Sequence, residues 1–168
     1  MSELDRWVSV ADIGQGGLRQ RIEASPGELA ALARRYGVPA VVSLVAEVAL
    51  RPVGRSRYRL TGRVEAVMRQ VCVVSLDEIE NRVTEDFAVD FEPQAGKPQS
   101  NEIDIDVEAD DPPEPIVDGR IPVGEMVAEH LALAIDPYPR RPDAVLEDDP
   151  SEPAPARQSP FAILRKLS

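Results

Sequence analysis

Cysteine and histidine each occur once in the 168 residues, and that scarcity removes several chemistries before any pattern is read. Cys72 by itself cannot form an internal disulfide. Together with His130 it cannot close a four-ligand zinc site unless carboxylates supply most of the ligands, so no metal and no cofactor is expected. Aromatic residues make up only 4%, so the core must be built from Val, Leu, Ala and Ile, and few rings are on hand to stack on bases. No apolar run reaches the roughly 18 residues of a membrane-spanning helix. The N-terminus MSELDRWVSV lacks the basic and apolar blocks of a secretion signal. A cytoplasmic protein with no membrane partner is the expectation.

What is present in excess is acid, and it is unevenly placed. The net charge is −11, yet residues 1–91 carry 12 Lys+Arg against 13 Asp+Glu, whereas residues 92–168 carry 7 against 17. A general nucleic-acid binder is basic as a whole, so no DNA partner is expected. A local basic strip on the first half is still compatible with RNA.

The longest β-patterned stretch runs from Val41 to Phe91. In Tyr58–Cys72 the even positions Tyr58, Leu60, Val64, Ala66, Met68 and Cys72 are apolar. The odd positions Arg55, Arg57, Arg59, Arg63 and Arg69, with Thr61 and Glu65, are polar and fall on the opposite face. The segment before it repeats the alternation, with Val42, Leu44, Ala46, Val48 and Leu50 inward, and PVGRS (residues 52–56) supplies a turn. Val83, Phe87, Val89 and Phe91 form the inward set of a third strand, giving an antiparallel meander. Upstream, Trp7–Ile13 and Leu18–Glu23 read as an opening antiparallel pair around the turn GQGG. A phosphate-binding reading of that turn fails, because strand rather than helix follows it.

Two helices are expected. Ser25-Pro26-Gly27-Glu28 supplies an N-cap, a proline in the first turn and the reciprocal glutamate of a capping box, so a helix over Pro26–Tyr36 ends at Gly37. A second over Val123–Ile135 puts Val123, Val127, Leu131 and Ala134 on one face, with Met126, His130 and Leu133 beside them. Ile103, Ile105 and Val107 alternate with acids in a short edge strand, and Glu114–Gly119 reads as another extended piece. The result is one α+β domain over residues 1–137. Its antiparallel sheet of five to seven strands, open or curled towards a barrel, is covered by two helices. Residues 138–158, rich in Pro and acid, read as a disordered acidic linker, and 159–168 as a short terminal helix.

Among candidate site residues, Arg55, Arg57, Arg59, Arg63 and Arg69 stand out. Alternate strand residues rise about 6.6 Å, close to the spacing of phosphates along a nucleic-acid strand, and guanidinium holds a phosphate in two hydrogen bonds. The row can equally be a solvated sheet face, or be masked by the acidic tail. Phe161, Leu164 and Leu167 form an apolar stripe that fits a partner-binding motif, or a docking helix for the chain's own domain. Cys72 shares the inward parity and reads as buried, His130 reads as a packing or surface histidine, and Ser75 has no triad partners. No catalytic residue is expected.

Three segments in order, Gln70–Ile79 (QVCVVSLDEI), Pro122–Ala134 (PVGEMVAEHLALA) ending at Pro137, and Ser159–Leu164 (SPFAIL), resemble the YceD family of large ribosomal RNA subunit accumulation proteins. Many members of that family carry a second cysteine three residues after the first. Ser75 stands there in this chain, in the manner of alphaproteobacterial members, which removes a paired-cysteine role. The resemblance implies a non-enzymatic part in large-subunit biogenesis, with large-subunit rRNA or its precursor and ribosomal proteins as partners. The alternative is an adaptor that engages a basic partner through its acidic tail and terminal helix, without RNA contact.

Overall fold

A computed structural model describes residues 3–93 and 112–144. In chain order the elements are β1 (Val8–Ser9), a 3-10 turn (Val10–Asp12), β2 (Leu18–Glu23), α1 (Pro26–Tyr36), β3 (Ala40–Val53), β4 (Arg57–Val71), β5 (Glu78–Pro93), β6 (Glu114–Ile116), β7 (Arg120–Ile121) and α2 (Val123–Ala134). The fold is α+β. Strands β2 to β5 pair antiparallel in sequence order, and β6 joins β5 in parallel through Phe91↔Glu114. The sheet is therefore mixed, and it is open: β2 and β6 are edges that do not meet. A barrel would require its apolar face to close on itself, and here the two helices fill that face instead.

The inward parity read from sequence carries through β4 and β5. Leu60, Val64, Ala66 and Met68 of β4 are buried with Val83, Phe87 and Phe91 of β5, Leu44, Ala46 and Leu50 of β3, and Ile22 of β2. Leu32 of α1 and Val127 and Leu131 of α2 close the layer from below. Each fully enclosed Leu, Ile, Val, Met or Phe side chain among them contributes on the order of 1.5–3 kcal/mol from removal of its apolar surface from water. The capping box of α1 forms as expected: Glu28 Oε2 accepts from Ser25 N at 2.8 Å and from Ser25 Oγ at 2.8 Å. Gly37 ends the helix at φ 66°.

Three local expectations need correction. Val42 is exposed and Val41 buried, because a β-bulge between Val41 and Ser43 leaves Val42 without a partner on β4 and reverses the parity at that end. The opening strands do not pair with each other: β1 pairs with β7 and β2 with β3. Ser9 Oγ accepts from Ala11 N and starts a 3-10 turn, which breaks the extended run before it can return as a hairpin. Leu133 is 81% exposed, since α2 buries the stripe Val123, Val127 and Leu131 and turns Leu133 to solvent. A separate feature of β4 is Gln70, a buried polar residue at an inward position. It is satisfied at both ends, donating to Asp136 O at 2.9 Å and accepting from Asn81 Nδ2 at 2.8 Å. The acidic strand around Ile103–Val107 and the terminal residues 159–168 lie outside the described residues.

Gly62 shapes both faces of the sheet. It sits opposite Phe87, and a Cβ there would fall on the Phe87 ring. The ring uses that space and stacks on His130 with centroids 4.5 Å apart and planes 9° from parallel. His130 is thereby a packing histidine at the margin of the core. No helix among the described residues is long and apolar enough to cross a membrane.

Candidate nucleic-acid interface

The face of the sheet away from the helices carries no aromatic side chain, and its residues fall into rows across the strands. One row reads Arg21, Glu47, Arg63, Asp86, alternating in sign from β2 to β5. The next reads Arg19, Ala49, Thr61, Ala88, and the next places Arg51 opposite Arg59 and Arg59 opposite Asp90. The small residues of the middle row, with Gly62 behind them, leave a depression of about 570 Å³ lined by Arg19, Arg21, Arg51 and Arg63 together with Glu47 and Asp86. Four guanidinium groups and two carboxylates thus surround a shallow floor of methyl and hydroxyl groups.

On the β5 side the arginines are neutralised. Arg59 donates to both carboxylate oxygens of Asp90, at 2.6 and 2.7 Å. These bonds hold the Asp90 carboxyl below its ordinary range. Arg57 meets Glu92 at 3.1 Å, and Arg63 meets Asp86 at 3.2 Å. All three pairs are solvent-exposed, so each contributes only about 0–1 kcal/mol and can yield to a phosphate. On the β2–β3 side, Arg19 and Arg51 have no carboxylate of the described residues within ion-pair distance, and Arg21 approaches Glu47 only to 4.0 Å. The basic part of the face is therefore displaced towards β2.

Of the five arginines predicted from β4, Arg57, Arg59, Arg63 and Arg69 lie on this face, Arg63 at the depression itself. Arg55 belongs to the β3–β4 turn and faces a different hollow with Tyr58 and Val117. Arg69 lies near the far end of β4, opposite Ala40 and Glu80. Sequence reasoning missed Arg19, Arg21 and Arg51 as site members. The signal existed in the alternation of LRQRIE, but the register of β2 on β3, which brings Arg19 and Arg21 alongside Arg51, is a long-range property. Phe161, Leu164 and Leu167 lie outside the described residues.

Cys72 begins the turn between β4 and β5 and is fully enclosed. Its Sγ accepts from Ser75 N and Arg141 N, each at 3.4 Å, while Val73 N donates to Pro139 O at 2.9 Å, so residues after α2 pack on this turn. Hydrogen bonds from the Ser75 side chain, then from the Ser75 and Arg141 backbone N–H groups, lower the thiol to about 6 against an ordinary value near 9. A depressed folded-state pKa stabilises the fold above the unfolded value, and that stabilisation is lost as pH falls through about 6. The stability of the protein relative to Cys72→Ser is therefore expected to rise between about pH 6 and 9, read from urea midpoints. Parallel pH profiles for the two proteins would refute the thiolate-holding role of this turn.

The model of a protein family described as "Large ribosomal RNA subunit accumulation protein YceD" matches residues 60–168. That span takes in β4 from Leu60 onward, with Arg63 of the depression, the Cys72 turn and α2. No curated protein and no solved structure gives a match to this chain.

Proposed function

Because the chain belongs to the YceD family, we propose that it supports accumulation of the large-subunit rRNA by non-enzymatic binding of RNA on the outer sheet face. The observation that carries this reading is the depression where Arg19, Arg21, Arg51 and Arg63 outnumber the two carboxylates, Glu47 and Asp86, that share its lining. An exposed arginine face without aromatics favours contact with phosphates over stacking on bases, so recognition follows backbone shape rather than sequence. The family's role favours a cytoplasmic location, where ribosomal proteins are further partners. The terminal Phe161, Leu164 and Leu167 are a second docking element in this reading, supported by a family match that extends to residue 168.

The carboxylates of β5 act in this reading as competitors of phosphate. Replacing Asp86 and Asp90 together by asparagine releases Arg63 and Arg59 and removes two like charges from the path of the RNA. The double variant is expected to bind a labelled fragment of large-subunit rRNA about three- to tenfold more tightly at moderate salt, as measured by fluorescence anisotropy. Unchanged or weaker binding would mean that RNA does not reach these arginines.

A further inference from the structure

On the side of β5 that faces away from β4, most of the strand has no pairing partner among the described residues. Within β5, β6 pairs only with Phe91–Pro93. On that side no described residue pairs with Glu78–Asp90, so alternate residues there direct N–H and C=O groups outward. Natural sheets blunt such edges with charge, above all lysine, with proline or with a bulge, and the charge on this edge is acidic, which turns away acidic strands and leaves it open to basic ones. β5 has no lysine and its only proline is the last residue, and its register with β4 runs unbroken from Glu78 to Phe91. It is a long, regular template for another strand.

The chemistry beside this edge is acidic. β5 carries Glu78, Glu80, Glu85, Asp86, Asp90 and Glu92 against Arg82 alone. Near its end a hollow of about 510 Å³ is lined by Asp90 and Glu114, by Met126, Glu129 and His130 of α2, and by Arg59, which is bound to Asp90. Burial, and then repulsion from Glu125 and Glu114, push the Glu129 carboxyl above its ordinary range. The cation among its described lining residues, Arg59, is bound to Asp90 and not to Glu114 or Glu129.

We propose that the edge Glu78–Asp90 accepts an extended, lysine- or arginine-rich segment of a partner protein as an added strand, with one cation of that segment seated against Glu114 and Glu129. Backbone hydrogen bonds supply the pairing and the acidic hollow supplies the preference. The two intramolecular or self-paired occupants fit poorly. Residues 101–111 (NEIDIDVEADD) bring six carboxylates and no cation, and a second copy of β5 would bring the same acids, so like charges would stand opposite one another.

The test uses the full-length protein and a short labelled peptide of alternating lysine and valine. Binding is expected to protect the amides of residues 78–90 from hydrogen exchange while leaving those of Leu18–Glu23 unchanged. N-methylation of alternate peptide residues keeps the charge and removes the ladder donors. It is expected to weaken binding at least tenfold, since several backbone hydrogen bonds are lost. The double variant Glu114→Gln/Glu129→Gln is expected to weaken it about fivefold. Absence of binding, equal affinity for the N-methylated peptide, or protection confined to other strands would overturn the proposal. So would outward amides of β5 that are already protected in the free protein, since the chain itself or a second copy would then hold the edge.

Discussion

Replacing Gly124 with alanine is expected to lower the unfolding free energy by about 3 kcal/mol, the upper part of the range for forcing an extra methyl into a packed site. Gly124 lies in the first turn of α2, and a Cβ there would collide with the carbonyl of Leu4 and sit 3.0 Å from Arg6 N. Both obstacles are backbone, which cannot swing aside as a side-chain tip does. The same crossing is held by Gly124 N donating to Arg6 O at 3.0 Å, by the enclosed Leu4 side chain, and by Arg35, which reaches Glu3 at 2.8 Å and Glu125 at 2.6 Å. Moving α2 away would strain all of these at once. Gly27 is the control: open space surrounds it in the first turn of α1, so Gly27→Ala is expected to be neutral or to stabilise by under about 1 kcal/mol. Urea titrations compare the two. A Gly124→Ala protein with the wild-type midpoint would contradict the close crossing of the N-terminal segment over α2.

The second large effect concerns RNA. Substituting Arg19, Arg21, Arg51 and Arg63 together by glutamine is expected to reduce affinity for an rRNA fragment by about two orders of magnitude at low salt. Four phosphate contacts at roughly 0.5–1 kcal/mol each sum to that size. Stability is expected to change little, because all four side chains are exposed and such substitutions move it within about 0.5 kcal/mol each. A matching substitution of Arg55 and Arg69, which lie away from the depression, is expected to have a much smaller effect on affinity. This contrast separates a localised site from general attraction. Anisotropy titrations measure it, and equal losses from the two variants would remove the depression from the account.

Much of this arrangement is legible in the sequence, for identifiable reasons. The hairpins β3–β4 and β4–β5 are local, with alternating residues on each strand, so their faces follow from parity. The helix α1 announces itself through Ser25, Pro26, Glu28 and Gly37. What parity does not reveal is a break in parity: the bulge at Val42 has no glycine or proline to mark it. Pairings between distant segments are equally silent. The union of β1 with β7 and the parallel union of β6 with β5 depend on where the chain returns after more than a hundred and about twenty residues respectively. The candidate site shows the same division. The arginines of β4 are visible as a row, but their carboxylate partners Asp86, Asp90 and Glu92 become partners only through the register of β5. That register decides which arginines are committed and which are available.

The most direct measurement is the dependence of RNA affinity on salt, compared between the wild-type protein and the Arg19, Arg21, Arg51 and Arg63 to glutamine variant over about 50 to 200 mM. If these arginines hold phosphates of a single strand, the slope of log affinity against log salt should flatten by about 0.7 for each contact removed, close to 3 in total. The same slope in both proteins would contradict the claim that this face of the sheet is where the RNA lies.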